Sequence, residues 1–460
     1  MTTQALTAPV RPESLQQIPV VPISSVGFAK DMAGDPLTTV TRYCQEHGEL
    51  VRAPAFGKFL VFSRHPDHMR DVLVRGTPRF YGKDTRGYGM MRKVVGLGLV
   101  TSEGDFWKRQ RRIANPAFHR KRIEGWADMM TTATEDRLAS WAGTIASGDP
   151  IDIQAEMMAL TLRIVGETLL SVDVTGEAAE VGEAVGVVLG QVGYRTRTPW
   201  SMPEWVPTPR NLRFKRALET LDRVVLGIIE ERRASGDGDD LLGMLMGMQD
   251  EETGERMTDL QLRDEAMTMF LAGHETTATN LTWTLYAISQ HPEVERRLRA
   301  ELDEVLGGRT PTVMDLGKLE YLDRVLKESL RLYPPVPMVA RNALEDTELA
   351  GYHVPKDAYL ILSTWSAHRH PDFWENPEAF DPDRFLPERI ESVPRHAFMP
   401  FSLGQRKCIG DRFATMEAKL LLAMMVQGVR MALKDNHPIE FDANVTLRSK
   451  HGMPMVLRTP

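Results

Sequence analysis

The spacing of apolar and polar positions divides the chain into a mixed opening and a long helical middle. ELVRAPAF and KFLVFS are short apolar runs broken by turn formers, which predicts strands among helical segments in the first hundred residues. From about Phe106 to Leu332 the pattern turns predominantly helical. Thr258 or Asp259 can cap a helix that runs through LQLRDEAMTMFLAGHETTATNLTWTLYAIS and stops before His291-Pro292. At 1.5 Å per residue it is roughly 45–50 Å long, enough to cross a large domain. Before it, RRASGDGDDLLGMLMGMQDEETGE reads as loops flanking a short helix. After it, PEVERRLRAELDEVL is a charged helix, and DLGKLEYLDRVLKESLRLYP is a second that Pro334 and Pro335 terminate. Short strands and turns are expected from Pro334 to about Thr364. The segment from Pro371 to Cys408 is proline-rich and mostly irregular, so something must hold it in place. A last helix begins near Ile409, and strands close the chain. The expected class is mainly α with small β-sheets (α+β), with residues 1–33 as an extended proline-rich arm and 34–460 as one domain.

Composition narrows the function classes. With 42% hydrophobic and 26% charged residues the chain can bury a sizeable core. A net charge of −7 without a basic domain or arm argues against nucleic acid. Two cysteines, Cys44 and Cys408, are too few for a disulfide framework. The N-terminal stretch carries neither an export signal nor a run able to span a bilayer, so a cytoplasmic protein is expected.

The chemistry centres on FSLGQRKCIG, Phe401 to Gly410. Cys408 stands just before a helix, where the positive end of the helix dipole favours the thiolate, the form that binds metal. Gly404 permits a turn that a side chain would resist, Gly410 allows close approach of another group, and Arg406 offers a fork of donors to a carboxylate. A buried structural cysteine in a turn is the bland alternative.

Phe401, Gly404, Arg406, Cys408 and Gly410 at these intervals resemble the cysteine-ligand loop of the cytochrome P450 family, F-x-x-G-x-R-x-C-x-G. The resemblance implies the P450 fold, with the long central helix over a haem, and one haem b per chain with Cys408 as its thiolate ligand, Arg406 at a propionate and Phe401 packed on the thiolate side. Other segments agree in order. Glu328 and Arg331 match the family's E-x-x-R, and Arg384 in FDPDRF completes a Glu-Arg-Arg structural triad. Alone, such a pair is more often an ion pair on a solvated helix face.

AGHETT, Ala272 to Thr277, resembles the family's A/G-G-x-D/E-T signature. Small residues at Ala272 and Gly273 would let a flat ligand approach the backbone, and the Thr276 hydroxyl can bond a preceding carbonyl. Glu275 and Thr276 would form the acid-alcohol pair that passes protons toward dioxygen. His274 is read as packing. Trp107 and Arg111, at i and i+4, resemble the W-x-x-x-R propionate pair, and Arg341 aligns with another propionate contact. Leu99, Val100, Val336 and Met338 would border an apolar pocket next to Ala272, Leu99 also touching the cofactor.

The resemblance, closest to soluble bacterial members without anchor or fused flavin domain, implies a haem-thiolate monooxygenase. It would insert one atom of dioxygen into a hydrophobic substrate by hydroxylation or epoxidation, the substrate being a fatty acid, terpenoid, polyketide or steroid-like molecule. Electrons would come from a separate ferredoxin or flavodoxin-type donor with an NAD(P)H-dependent reductase. Lys108, Arg109, Arg112, Arg120, Lys121 and Arg122 form a basic cluster able to steer it. A monomer is expected. A haem-thiolate peroxygenase or isomerase and a non-catalytic haem sensor are the alternatives, and dependence on NAD(P)H with redox proteins separates them.

Overall fold

The computed structural model describes residues 15–170, 178–198, 200–235, 241–247, 249 and 254–460. The chain forms two compact units, each described here by itself.

The first unit takes residues 15–89, Pro337–Pro377 and Val393–Lys407. Its frame is a five-stranded sheet with neighbours in the order Leu50–Ala55, Lys58–Ser63, Tyr359–Ser363, Met338–Ala343 and Tyr81–Gly82. The runs expected as early strands pair as an antiparallel hairpin, Leu50 opposite Ser63 and Ala55 opposite Lys58. Lys58–Ser63 then pairs in parallel with Tyr359–Ser363. Val51, Val61, Phe62, Leu360 and Leu362 are buried, so the sheet carries the unit's core. The expected extended arm holds only in part. Gln16–Gln17 pair as a short strand with Tyr352 and His353, but Ser25–Gly34 is a helix capped by the Ser24 hydroxyl. Ser24 supplies an acceptor for the Gly27 N–H, a local start signal that the upstream prolines obscure. Residues 1–14 of the arm lie outside the described residues.

The second unit takes Met90–Val336, Glu378–Ser392 and Cys408–Pro460 and is mostly helical. Its axis is the central helix Asp259–Gln290, 32 residues with Thr258 as N-cap. Thr258 accepts the Gln261 N–H at 3.3 Å and Gln261 accepts the Thr258 N–H at 2.8 Å, a reciprocal capping box. The helix is buried on nearly every side, which is why its sequence shows little amphipathic contrast. It packs against Ile153–Val165 and Asp411–Gly428. Trp283 fixes its C-terminal half, stacking on Tyr333 with centroids 5.0 Å apart and donating its indole N–H to the Leu447 carbonyl at 2.7 Å. That bond ties the helix to the hairpin of Phe441–Ala443 and Leu447–Ser449.

Pro292–Leu306 and Glu320–Leu332 are helices as expected, and Leu241–Gly247 is the short helix before the axis. Most of the Gly/Asp clusters around that short helix lie outside the described residues. The helix after the cysteine starts at Asp411 with Gly410 as N-cap, two residues later than expected. Asp411 and its acidic side chain in the first turn set the start.

Candidate active site

In the second unit, Cys408 is exposed and its thiol is free of any disulfide. Helix Gly104–Ala114 places Trp107, buried, and Arg111, half-buried, one turn apart. The Arg111 guanidinium donates to Asn115 Oδ1 at 3.1 Å. Burial holds it below its ordinary value, opposed by the charges of Cys408 and Asp411, so Arg111 lies within the electrostatic reach of the cysteine. A Cβ on Gly410 would make only an ordinary contact, 3.8 Å from Phe118. No protein atom among the described residues demands glycine there.

On the central helix Ala272 is exposed and Gly273 and Thr276 are half-buried, while Leu271, His274, Glu275 and Thr277 are buried. Ala272 and Thr276, one turn apart, therefore open a short stripe in an otherwise covered helix. The Thr276 hydroxyl donates to the Ala272 carbonyl at 2.8 Å, as the sequence suggested. Gly273 differs. A Cβ there would sit 3.0 Å from Val165 Cγ2, so its missing side chain serves the packing of helix Ile153–Val165. His274 is buried, with Nδ1 3.2 Å from the Phe270 carbonyl, and burial pushes its pKa down, in keeping with a packing role.

Glu275 is anchored in a way the sequence did not announce. Arg448 donates to it from Nε at 2.6 Å and from Nη2 at 2.5 Å, and the Thr446 hydroxyl donates to Oε1. Both partners lie about 170 residues downstream on the C-terminal hairpin, beyond any local pattern. A second buried carboxyl, Glu417 on helix Asp411–Gly428, is pushed up to about 8 by burial with only the Thr277 hydroxyl to offset it. A lone acid inside ATMEAKLLLAMMV was its available signal.

Glu328, Arg331 and Arg384 come together. Arg331 grips Glu328 with two hydrogen bonds, 2.7 and 2.8 Å, and Arg384 Nε donates to it at 3.2 Å. Glu328 also accepts the Asp381 N–H at 2.8 Å, and Arg331 donates to the Ala379 carbonyl at 3.0 Å. The three side chains thus hold residues 378–392 onto helix Glu320–Leu332. Arg297, bidentate to Asp383 at 2.8 and 3.1 Å, adds a second anchor.

Leu99 is buried, and Val100 and Val336 are half-buried, in this unit. Among the clustered cations, Lys108 pairs with Asp105, Arg109 with Glu255 and Arg120 with Glu124. Their charge available for steering is correspondingly reduced.

In the first unit, Phe401 and Arg406 are half-buried. Gly404 has φ +70°, and a Cβ there would fall 2.2 Å from the Leu73 carbonyl oxygen, so this position admits only glycine. Met338, half-buried, and Arg341, 2% exposed, lie on one strand. Arg341 Nη1 donates to the Ala340 carbonyl at 2.8 Å, its Nε has no partner, and no carboxylate among the described residues pairs with it. A buried guanidinium in that state calls for an anion.

The cytochrome P450 family model matches residues 17–455. Cyclooctatin synthase of Streptomyces melanosporofaciens is 38% identical over 408 residues, covering 88% of this chain and 87% of that protein. Cyclooctat-9-en-7-ol 5-monooxygenase of the same organism is 37% identical, over 84% and 83% of the two chains. Pentalenene oxygenase of Streptomyces avermitilis is 36% identical, over 95% and 96%. Among solved structures, the cytochrome P450DA heme domain superposes with a TM-score of 0.87 at 28% identity, over 97% of this chain and 98% of that one. The chain belongs to the cytochrome P450 family. It has the P450 fold and is an oxidoreductase, a haem-binding monooxygenase that uses dioxygen, redox partners and hydrophobic substrates. No helix among the described residues is long and apolar enough to cross a membrane.

The residues of each unit fit a haem: in the second unit Cys408 offers an exposed thiol outside any disulfide and Ala272 and Thr276 an uncovered stripe of helix, and in the first Arg341 is a buried cation with no carboxylate partner among the described residues.

Proposed function

We propose that this protein is a terpenoid monooxygenase, hydroxylating or epoxidising a polycyclic terpene hydrocarbon or alcohol. The observation that carries the substrate class is the similarity, along most of the chain, to pentalenene oxygenase and to cyclooctat-9-en-7-ol 5-monooxygenase. Apolar Leu99, Val100, Ala272, Val336 and Met338 suit such a ligand, which is bound by shape with few polar contacts.

The cofactor is taken as haem b, one per chain, within a single catalytic domain of residues 34–460. Cys408 would ligate it, Trp107, Arg111, Arg341 and Arg406 would meet its propionates, and Phe401 would shield the thiolate. Leu99, Ala272, Gly273 and Gly410 would lie against it. When bound, a thiolate-ligated haem supplies the electron-rich iron that activates dioxygen. Thr276 holds a hydroxyl proton at the open stripe, one turn from the Ala272 carbonyl that accepts it. Glu275 stores the acid function behind it, oriented by Arg448 and Thr446. The hydrogen bonds from Arg448 and Thr446 fix its carboxyl group and limit its swing toward Thr276. Glu328, Arg331 and Arg384 carry a structural role, holding residues 378–392.

A separate ferredoxin or flavodoxin-type donor with an NAD(P)H-dependent reductase is the electron source, acting on a cytoplasmic monomer. Incubation with ferredoxin, ferredoxin reductase, NADPH and a panel of cyclic sesqui- and diterpenes beside fatty acids tests this. Oxygenated terpene products are expected. Turnover of fatty acids alone, or turnover with peroxide and none with NADPH, would overturn the reading.

A further inference from the structure

The segment from Gly96 to Val100 lies against the central helix at a distance that side chains would forbid. A Cβ on Gly96 would fall 2.1 Å from the Asp264 carboxylate, and one on Gly98 would fall 2.0 Å from Thr268 Oγ1 and 2.7 Å from the Asp264 carbonyl oxygen. Gly96 also has φ +57°, which glycine adopts without strain. Two successive acids of the helix reach into this contact. Asp264 accepts the Leu97 N–H at 2.7 Å, and Glu265 accepts the Leu99 N–H at 3.0 Å. The loop closes on itself through Thr101, whose hydroxyl donates to the Gly96 carbonyl at 2.6 Å.

Glu265 is fully buried, and its second oxygen has no partner among the described residues. A carboxyl so placed is costly, and one acceptor bond is all it returns here. Its position explains the cost. Glu265, Thr268, Ala272 and Thr276 follow one another at i, i+3, i+7 and i+11, along a single stripe of the helix. The loop is therefore docked two turns, roughly 10 Å, before the uncovered Ala272. Leu99 and Val100 are the residues that the docking places.

We propose that Asp264 and Glu265 form a clasp holding the Gly96–Val100 loop to the central helix, with Glu265 as the positioning residue that limits the size of ligand the pocket admits. The proposal rests on the assignment of Leu99 and Val100 to the pocket made above. Burial, with the Asp264 charge, pushes Glu265 up to about 8, and the Leu99 N–H opposes the shift. The other charged groups around the clasp are Arg263, ion-paired with both Asp264 and Asp222, and Arg92, which donates to the Thr101 carbonyl and lies 3.6 Å from Glu103. Between 4.5 and about 8 the docked loop keeps a proton that a solvated Glu265 would release, so the dock weakens as pH rises through that window.

The test compares two iron-ligating probes on the haem-loaded protein, imidazole and the bulky azole clotrimazole, through the Soret shift each causes. Glu265→Ala removes the acceptor, Glu265→Gln keeps one, and Gly98→Ala forces the loop off Thr268 with Glu265 in place. Clotrimazole is expected to bind about tenfold more tightly in Glu265→Ala and Gly98→Ala, with imidazole within about twofold and Glu265→Gln close to wild type at pH 7. With each probe's affinity referred to its neutral form, the clotrimazole to imidazole ratio should rise between about pH 5 and pH 8 in the wild type and stay flat in Glu265→Gln. An unchanged ratio in Glu265→Ala, or equal shifts for both probes, would overturn the clasp. A wild-type protein whose Soret band answers neither probe would instead overturn the site reading and the proposal with it.

Discussion

Glu275 and Glu417 are both buried acids of the second unit, yet their surroundings differ. Glu275 has a guanidinium and a hydroxyl as donors. Arg448→Ala would remove its principal restraint and leave the carboxylate unpaired. The expected outcome is a protein that still binds substrate but spends more NADPH per product, with an altered solvent isotope effect on turnover. Unchanged coupling would mean that the Arg448 grip is structural only. Glu417 has no cation partner among the described residues, and burial raises its pKa from 4.5 to about 8 in the folded state. Between those values the native protein keeps a proton that the unfolded chain releases, so stability falls as pH rises through the window. Glu417→Gln removes this dependence. Its stability relative to wild type should grow by on the order of a few kcal/mol from pH 5 to pH 8 in urea titrations. A pH-independent difference would contradict it. The sequence displayed Glu275 within AGHETT and left its partners invisible, because Thr446 and Arg448 meet it only through the hairpin that Trp283 anchors.

The central helix was legible almost to the residue, since Thr258 and His291-Pro292 are local start and stop signals. Thr258→Ala should cost about 1 kcal/mol by opening the capping box, read as a lowered urea midpoint. Gly404 marks the opposite case of a turn whose need is long-range. Its φ of +70° could be guessed from the motif, but the carbonyl of Leu73 that excludes a Cβ could not. The helix after Cys408 started later than expected because Gly410 and Asp411, and no side-chain cap nearer the cysteine, define its first turn. The helix Ser25–Gly34 went unseen behind neighbouring prolines, although Ser24 was there to cap it.

Over the whole protein, order along the chain carried more information than any one motif. Glu328 and Arg331 read as an ordinary surface pair until FDPDRF supplied Arg384, and the structure brings all three onto residues 378–392. Glu328→Ala would leave two buried guanidinium groups without their carboxylate. A loss of about 3–5 kcal/mol is expected, with a lower haem content per chain after purification. The ligand of the haem is tested by the reduced, carbon monoxide-treated protein, for which thiolate ligation by Cys408 predicts an absorption band at about 450 nm. Cys408→Ala should abolish that band while leaving the helical circular dichroism intact, and a variant that retained it would contradict the assignment.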